Sequence, residues 1–333
     1  MEVRLIAAAL ALALVTACGG GPSAANKPYI DIEFPAGNLP AYAHAVDGSG
    51  GLWYVDGNDV VHAAEPNRRD VVHVAGTRGG TLFWYEGSIV VLTGDGMRFV
   101  RIGRKRQSVV TIPAAYAPIV GVAADPVHRG IVAAETAPNR LAVVDVWKWY
   151  GQTIPGGIEA YSTALAGGPH GKRYLLVADR RTSLVAVIDR RYAEIGFMRS
   201  PPNGCFAGTR SALQVPVLVH ARDGGRAWVA AGEHVATIDL AKRRTLRTWD
   251  LDACAMQIVA GDARSAILMV SRPDGSGRYS TSAIRVDLAG VHALPQYGRI
   301  AGLDPDTLLD GYDRLWWYDT SAHAFVCRTP LNS

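Results

Sequence analysis

One phrase occurs near both ends of the chain: GLWYVDGN at 51–58 and RLWWYDTS at 314–321. In each, Leu-Trp opens an apolar and aromatic run, and an Asp stands three residues after the first Trp. Looser versions recur between them: SIVVLTG at 88, GIVAAET at 130, RYLLVAD at 173, RAWVAAG at 226 and AILMVSR at 266. Aligned on Trp53, the shared position falls at Val90, Val132, Leu175, Trp228, Leu268 and Trp316, about 44 residues apart on average. A second segment follows and often closes on an Asp: LAVVD at Asp145, VAVID at Asp189, VATID at Asp239 and AIRVD at Asp287. Units of this size cannot bury an apolar face alone, so they must stack on one another.

Each unit reads as four short strands. In the fifth, VPVLVHA (215–221) is innermost strand A and RAWVAAG strand B; HVATIDL (234–240) is strand C and RTLRTWD (244–250) outer strand D. Many segments are continuously apolar rather than alternating, as expected of strands covered on both faces. The 36 glycines and 18 prolines are spread along the chain, which suits many turns, and 49% hydrophobic residues can build a substantial core. No helical period persists over three turns after residue 27. Repeats of about 40–45 residues made of short strands are the mark of a β-propeller. The expected fold is therefore all-β, a single seven-bladed propeller over 28–333. The last unit has only AHAFVCRTP after its second strand, so KPYIDIEF (27–34) is expected to supply the missing outer strand and close the ring.

PHGKRYLLVAD (169–179) and ARDGGRAWVAAGEHVATIDLAKRRTLRTWDL (221–251) resemble YVTN-type propeller repeats. GLWYVDGNDVVHAAEP is similar to the repeats of NHL and virginiamycin B lyase-like propellers. The resemblance implies the fold and says little of function, since propellers host binding proteins, scaffolds, hydrolases and lyases. The lyase family uses a His and a Glu near a bound metal, and no His here sits in a matching motif.

The N-terminus carries a separate signal. Arg4 precedes the 13-residue apolar run LIAAALALALVTA, too short to span a bilayer, and Val15-Thr16-Ala17-Cys18 resembles the bacterial lipobox. Residues 1–17 are expected to be a signal peptide, Cys18 a lipidation site and 18–27 a flexible tether. That places the protein in a bacterial cell envelope, lipid-anchored and outside the cytoplasm. The net charge of +4 gives no electrostatic case for nucleic acid.

In a propeller the B–C and D–A loops share one face. Asp56, Glu135 and Asp319 end strand B there, with Asp179 one residue off, and Asn58, Glu233 and His234 lie in the same loops. These seven residues are the candidate ligand face. Asp56 and Asp319 are weak candidates for holding Ca²⁺ or Mg²⁺; otherwise each carboxylate accepts N–H bonds within its own turn. His170 and His234 read as turn residues. G-x-S-x-G, HExxH and GxxxxGK[ST] are absent, and no cofactor is called for. Basic clusters at 101–107, 189–194 and 241–247 fall on C–D turns. They are either solvated turns or contacts with anionic lipid or envelope polymer. VWKWYG (146–151) sets Trp147, Trp149 and Tyr150 on the equivalent turn. Cys205 and Cys254 stand 49 residues apart, about one blade, and are expected to pair, leaving Cys327 as a buried thiol. The functional expectation is a non-catalytic propeller binding a protein or envelope ligand; the alternative is a metal-dependent lyase or hydrolase on the loop-rich face.

Overall fold

The computed structural model describes residues 29–331, apart from 37–43, 86, 104–106, 115–116, 120, 125–130, 138–139, 146–149, 155–159, 168–172, 180–183, 189–194, 200–203, 206–212, 215–216, 223–224, 263, 274–278 and 302–306. The signal, Cys18 and tether expectations, His170, Trp147 and Trp149 lie outside the described residues. Among the described residues every regular element is a strand, save a three-residue 3₁₀ turn at Pro295–Tyr297.

The first strand, β1 (Tyr29–Pro35), precedes the blades. Blade 1 is β2 (His44–Val46), β3 (Leu52–Asp56), β4 (Asp59–Glu65) and β5 (Arg68–His73). Blade 2 is β6 (Thr81–Tyr85), β7 (Ser88–Leu92), β8 (Arg98–Ile102) and β9 (Gln107–Thr111). Blade 3 is β10 (Gly121–Ala124), β11 (Ile131–Ala137), β12 (Arg140–Asp145) and β13 (Tyr150–Ile154). Blade 4 is β14 (Ala160–Gly167), β15 (Arg173–Asp179), β16 (Leu184–Ile188) and β17 (Ile195–Arg199). A two-stranded ribbon, β18 (Gly204–Cys205) with β19 (Leu213–Gln214), fills the next connection. Blade 5 is β20 (Leu218–Arg222), β21 (Arg226–Ala231), β22 (His234–Asp239) and β23 (Arg244–Asp250). Blade 6 is β24 (Cys254–Gly261), β25 (Ser265–Pro273), β26 (Tyr279–Asp287) and β27 (Val291–Ala293), with a fifth strand, β28 (Arg299–Ala301), on the far half of β26. Blade 7 is β29 (Leu308–Leu309), β30 (Leu315–Asp319) and β31 (Ala324–Pro330), and β1 adds its outer strand, in the order β1-β31-β30-β29. All pairings are antiparallel, and the seven sheets form a propeller closed by its N-terminal strand, as the repeats imply.

Burial explains the continuous apolar runs. Strand B is enclosed: all of β7 is buried, as are Ala227–Ala231 of β21. Strand D is not, with β5, β9 and β23 mostly exposed. Within strand B successive side chains serve different seams. Leu52 and Tyr54 pack toward blade 7, whereas Trp53 and Val55 pack toward blade 2. Leu315 and Trp317 meet blade 6, whereas Trp316 and Tyr318 meet blade 1. Ala227 and Val229 meet blade 4, whereas Trp228 and Ala230 meet blade 6. The twin phrases are thus one strand in two adjoining blades, each contributing to two interfaces.

This alternation corrects the alignment in two blades. Tyr174, Leu176 and Ala178 face blade 5, so Leu176 rather than Leu175 is equivalent to Trp53. Asp179 then comes into register with Asp56. In blade 6, Ala266, Leu268 and Val270 face blade 5, so Leu268 occupies the opposite phase from Trp53. Both strands are apolar on both faces, and such a run carries no phase information of its own.

The closing seam is aromatic. Phe34 of β1 lies 5.2 Å from Trp316, and Phe325 lies 5.1 Å from both Tyr54 and Tyr318. Offset aromatic pairs at this spacing add to plain area burial. Cys327 is buried in the same cluster, and burial pushes its thiol up to about 12. We expect it to resist alkylation in the folded protein and to react fully on unfolding, as mass spectrometry after iodoacetamide would show.

Candidate binding site at the mouth of the ring

The A–B turns of blades 1 and 7 share a second phrase, DGSGGLW at 47–53 and DGYDRLW at 310–316. Its Asp is the organising group. Asp47 Oδ1 accepts the Ser49 and Gly51 N–H groups at 2.8 and 2.9 Å, and Oδ2 accepts Trp53 Nε1–H at 2.8 Å. Asp310 Oδ1 accepts the Tyr312 and Arg314 N–H groups at 2.8 and 3.0 Å, and Oδ2 accepts Trp316 Nε1–H at 2.9 Å. One carboxylate therefore folds the turn and fixes the strand-B indole. Reading the repeat from Leu-Trp missed these two aspartates; the same phrase extended five residues upstream contains them.

Burial pushes the Asp47 carboxyl up, but the bonds from Trp53, Gly51 and Ser49 outweigh it and hold it below its ordinary value. A group with a depressed folded pKa stabilises the fold above the ordinary carboxylate range and loses that contribution as pH falls through its folded value. We expect wild type to lose stability on acidification below about pH 4 more steeply than Asp47→Asn, in denaturant midpoints measured against pH.

Two glycines complete the turn. Gly50 has φ +79°, and a Cβ there would run into the Arg314 guanidinium; a Cβ on Gly51 would meet His62 Nε2 at 2.6 Å. Arg314 binds Asp310 Oδ2 at 2.7 Å and donates to the Gly50 carbonyl at 3.1 Å, tying blade 7 to blade 1. His62 stacks on Trp53 at 4.3 Å, with Nε2 3.5 Å from Asp47 Oδ2. We expect Gly51→Ala to cost roughly 1–2 kcal/mol in equilibrium unfolding, since the added methyl has to displace the His62 ring and the Asp47 carboxylate that fold the turn.

Between these turns and blade 2 lies a cavity of about 350 Å³. Its wall comprises Val46, Leu82, Phe83 and Trp84 with Leu308 and Leu309, and its rim is Asp47-Gly48 and Asp310-Gly311. It opens among the inner strands at the A–B end, opposite the B–C loops. Volumes of this order hold a small ligand or a large side chain.

The candidate ligand face is arranged differently. Asp56, Glu135, Asp179 and Asp319 all stand at the B–C end of strand B, Asp179 being the last residue of β15. Asp56 is exposed, and Asn58 Oδ1 accepts the Gly76 N–H at 3.1 Å. Asp319 Oδ1 accepts the Ser321 and Ala322 N–H groups at 2.8 and 3.1 Å, so it caps its own turn. Glu233 lies in the β21–β22 turn, and His234 Nδ1 meets Asp250 Oδ1 at 2.8 Å across β22–β23. Among the described residues, no group of three or more His, Cys, Asp or Glu is placed to hold a metal ion. Asp239 and Asp287, which end strand C, likewise accept N–H groups of their C–D turns. The repeated aspartates are mainly turn anchors.

Cys205 of the β18–β19 ribbon and Cys254 at the start of blade 6 are joined, with S–S 1.99 Å and Cα atoms 5.6 Å apart. Both are buried beside Met256.

No protein-family model matches the sequence, and no curated protein matches it. Solved structures do. The chain is similar to a catalytically inactive variant of virginiamycin B lyase from Staphylococcus aureus with quinupristin, at 13% identity and a TM-score of 0.59, over 90% of this chain and 99% of that one. A chain of the mitotic checkpoint complex aligns at 10% identity and a TM-score of 0.63, over 94% and 95%. YCF48 bound to D1 peptide aligns at 10% identity and 0.59, over 94% and 97%. This chain is a β-propeller. At these identities the likeness is one of fold, and the propeller's chemistry has to be argued from its own residues.

Proposed function

We propose that this propeller is a non-catalytic binding module, lipid-anchored through Cys18 in a bacterial cell envelope, that takes a protein or envelope ligand at its face. The observation that carries the reading is the apolar cavity at the channel mouth. Its two rim carboxylates spend their oxygens on their own turns and indoles, so they shape the opening rather than stand ready to move protons. The aromatic wall of Phe83 and Trp84 suits an apolar side chain or ring from the ligand. Neighbours of the same fold crystallised with quinupristin and with a peptide support a ligand-holding ring. The B–C face stays the second surface of interest, because Asp56 is exposed there.

The test uses full-length protein, cross-linked in cells and solubilised in detergent. Wild type should recover one specific partner at near-stoichiometric yield. Gly311→Trp should lose it, since Gly311 is on the rim and a Cβ there meets no neighbour, so an indole can be introduced at the opening. Recovery of no partner across several growth conditions would count against the binding reading, and equal recovery by both proteins would move the site elsewhere.

A further inference from the structure

The C–D side of blades 5 and 6 combines exposed cations with exposed leucines. Lys242, Arg243, Arg244, Arg247 and Arg285 are all exposed there. Leu246 is 38% and Leu288 65% exposed. The pairing of β22 with β23 shifts between Thr237 and Ile238, opposite which Leu246 is the extra residue. Bulges leave one residue outside the ladder, and Leu246 at this one is exposed. Arg247 Nη1 donates to the Leu288 carbonyl at 2.9 Å, which joins the two turns into one surface. Of the nearby acids, Asp239 accepts the Lys242 N–H of its own turn, and Asp287 accepts the Ala289 N–H, pairs with Arg285 at 3.3 Å and meets His292 at 3.1 Å, so Lys242, Arg244 and Arg247 carry the surface's positive charge.

Chain entry points the same way. Tyr29 pairs with Pro330 at the C–D end of β31, so β1 enters the ring from the side that carries the basic turns. Residues 18–28 span at most about 40 Å when fully extended. We infer that this side of blades 5 and 6 docks on an anionic bilayer surface, with Lys242, Arg244 and Arg247 at the headgroups and Leu246 and Leu288 entering the interface. The entry-point argument rests on the Cys18 anchor proposed above; the patch does not. Basic residues near an anionic leaflet each strengthen binding about five-fold, within a Debye length of the surface. Exposed leucines add an apolar component that a soluble polyanion would not reward.

The experiment places a nitrobenzoxadiazole label at Ala289→Cys or, as control, at Ser321→Cys on the B–C side. Both positions are exposed, and the buried Cys327 stays unlabelled. Full-length protein is reconstituted on vesicles of phosphatidylcholine with or without phosphatidylglycerol, and quenching by doxyl lipid is read. The inference expects quenching at 289 several-fold above that at 321, dependent on phosphatidylglycerol. Lys242→Gln/Arg244→Gln should weaken it about 25-fold in lipid titration, and Leu246→Ser/Leu288→Ser should reduce it too. Equal quenching at both labels, or none that depends on anionic lipid, overturns it. So does loss on removing the charges with full retention on removing the leucines, which marks a purely electrostatic contact with no leucine entering the interface. Mass spectrometry of the N-terminal peptide reads acylation separately. A chain found unacylated refutes the anchor; if its Cys18→Ser form, which keeps the label off that thiol, still floats with anionic vesicles and quenches at 289, the docking face is left standing.

Discussion

Asp31→Asn should lower the thermal midpoint by roughly 3–5 °C, corresponding to about 2–3 kcal/mol for a chain of this size. The reason is the latch that closes the ring. Asp31 of β1 binds Arg328 of β31 through both oxygens, at 2.6 and 2.7 Å, across 297 residues of sequence. Arg328 is 5% exposed; it also donates to the Tyr297 and Arg299 carbonyls and lies over the Tyr29 and Trp317 rings at 3.8 and 4.8 Å. A guanidinium so enclosed has no water to replace the lost carboxylate. Removing one partner of a buried pair costs about 3–5 kcal/mol, here discounted because the Asp31 side chain keeps 29% exposure. Glu33→Gln, on the same strand and exposed, should change stability by less than about 0.5 kcal/mol. The double variant Asp31→Leu/Arg328→Met should recover part of the loss, because an apolar pair leaves no charge behind. Calorimetry on the four proteins checks all of this. A latch without energetic weight would give Asp31→Asn the midpoint of Glu33→Gln.

The second large effect belongs to the disulfide. Cys205 and Cys254 close a loop of 49 residues containing the whole of blade 5. In the chain-entropy model a closure of that length stabilises by about 4 kcal/mol. Cys254→Ser should therefore shift the urea midpoint down by about 1–2 M, with an m-value of roughly 2–3 kcal/mol per molar. The parent treated with reductant should match it, while reductant should not move the variant further. A midpoint insensitive to both changes would show that the packed seams around blade 5 alone set its stability.

Much of the architecture was readable because the repeat unit is also the structural unit. GLWYVDGN and RLWWYDTS name the same strand in adjoining blades, and YIDIEFP at Tyr29–Pro35 closes blade 7 because that blade lacks an outer strand of its own. The phase within strand B was not readable in blades 4 and 6. RYLLVAD and AILMVSR are apolar at nearly every position, so nothing in them marks which side chain meets which neighbour. The fifth strand of blade 6 and the β18–β19 ribbon escaped for another reason: each is a short pairing inside a long connection, made by tertiary contact rather than by pattern. At the site, the repeated phrase marks Asp56 and Asp319, three residues after the Trp. The aspartates that build the mouth, Asp47 and Asp310, stand six residues before it and bind its indole.

The claim that ligand enters at the A–B mouth is tested most directly by position-specific photocross-linking in cells. A benzoylphenylalanine at Gly311, on the rim of the cavity, should give one discrete cross-linked species. The same residue at Ser321, on the B–C side of the same blade, should give none. A cross-link from Ser321 with none from Gly311 would contradict the account and return the ligand to the face of Asp56 and Asp319.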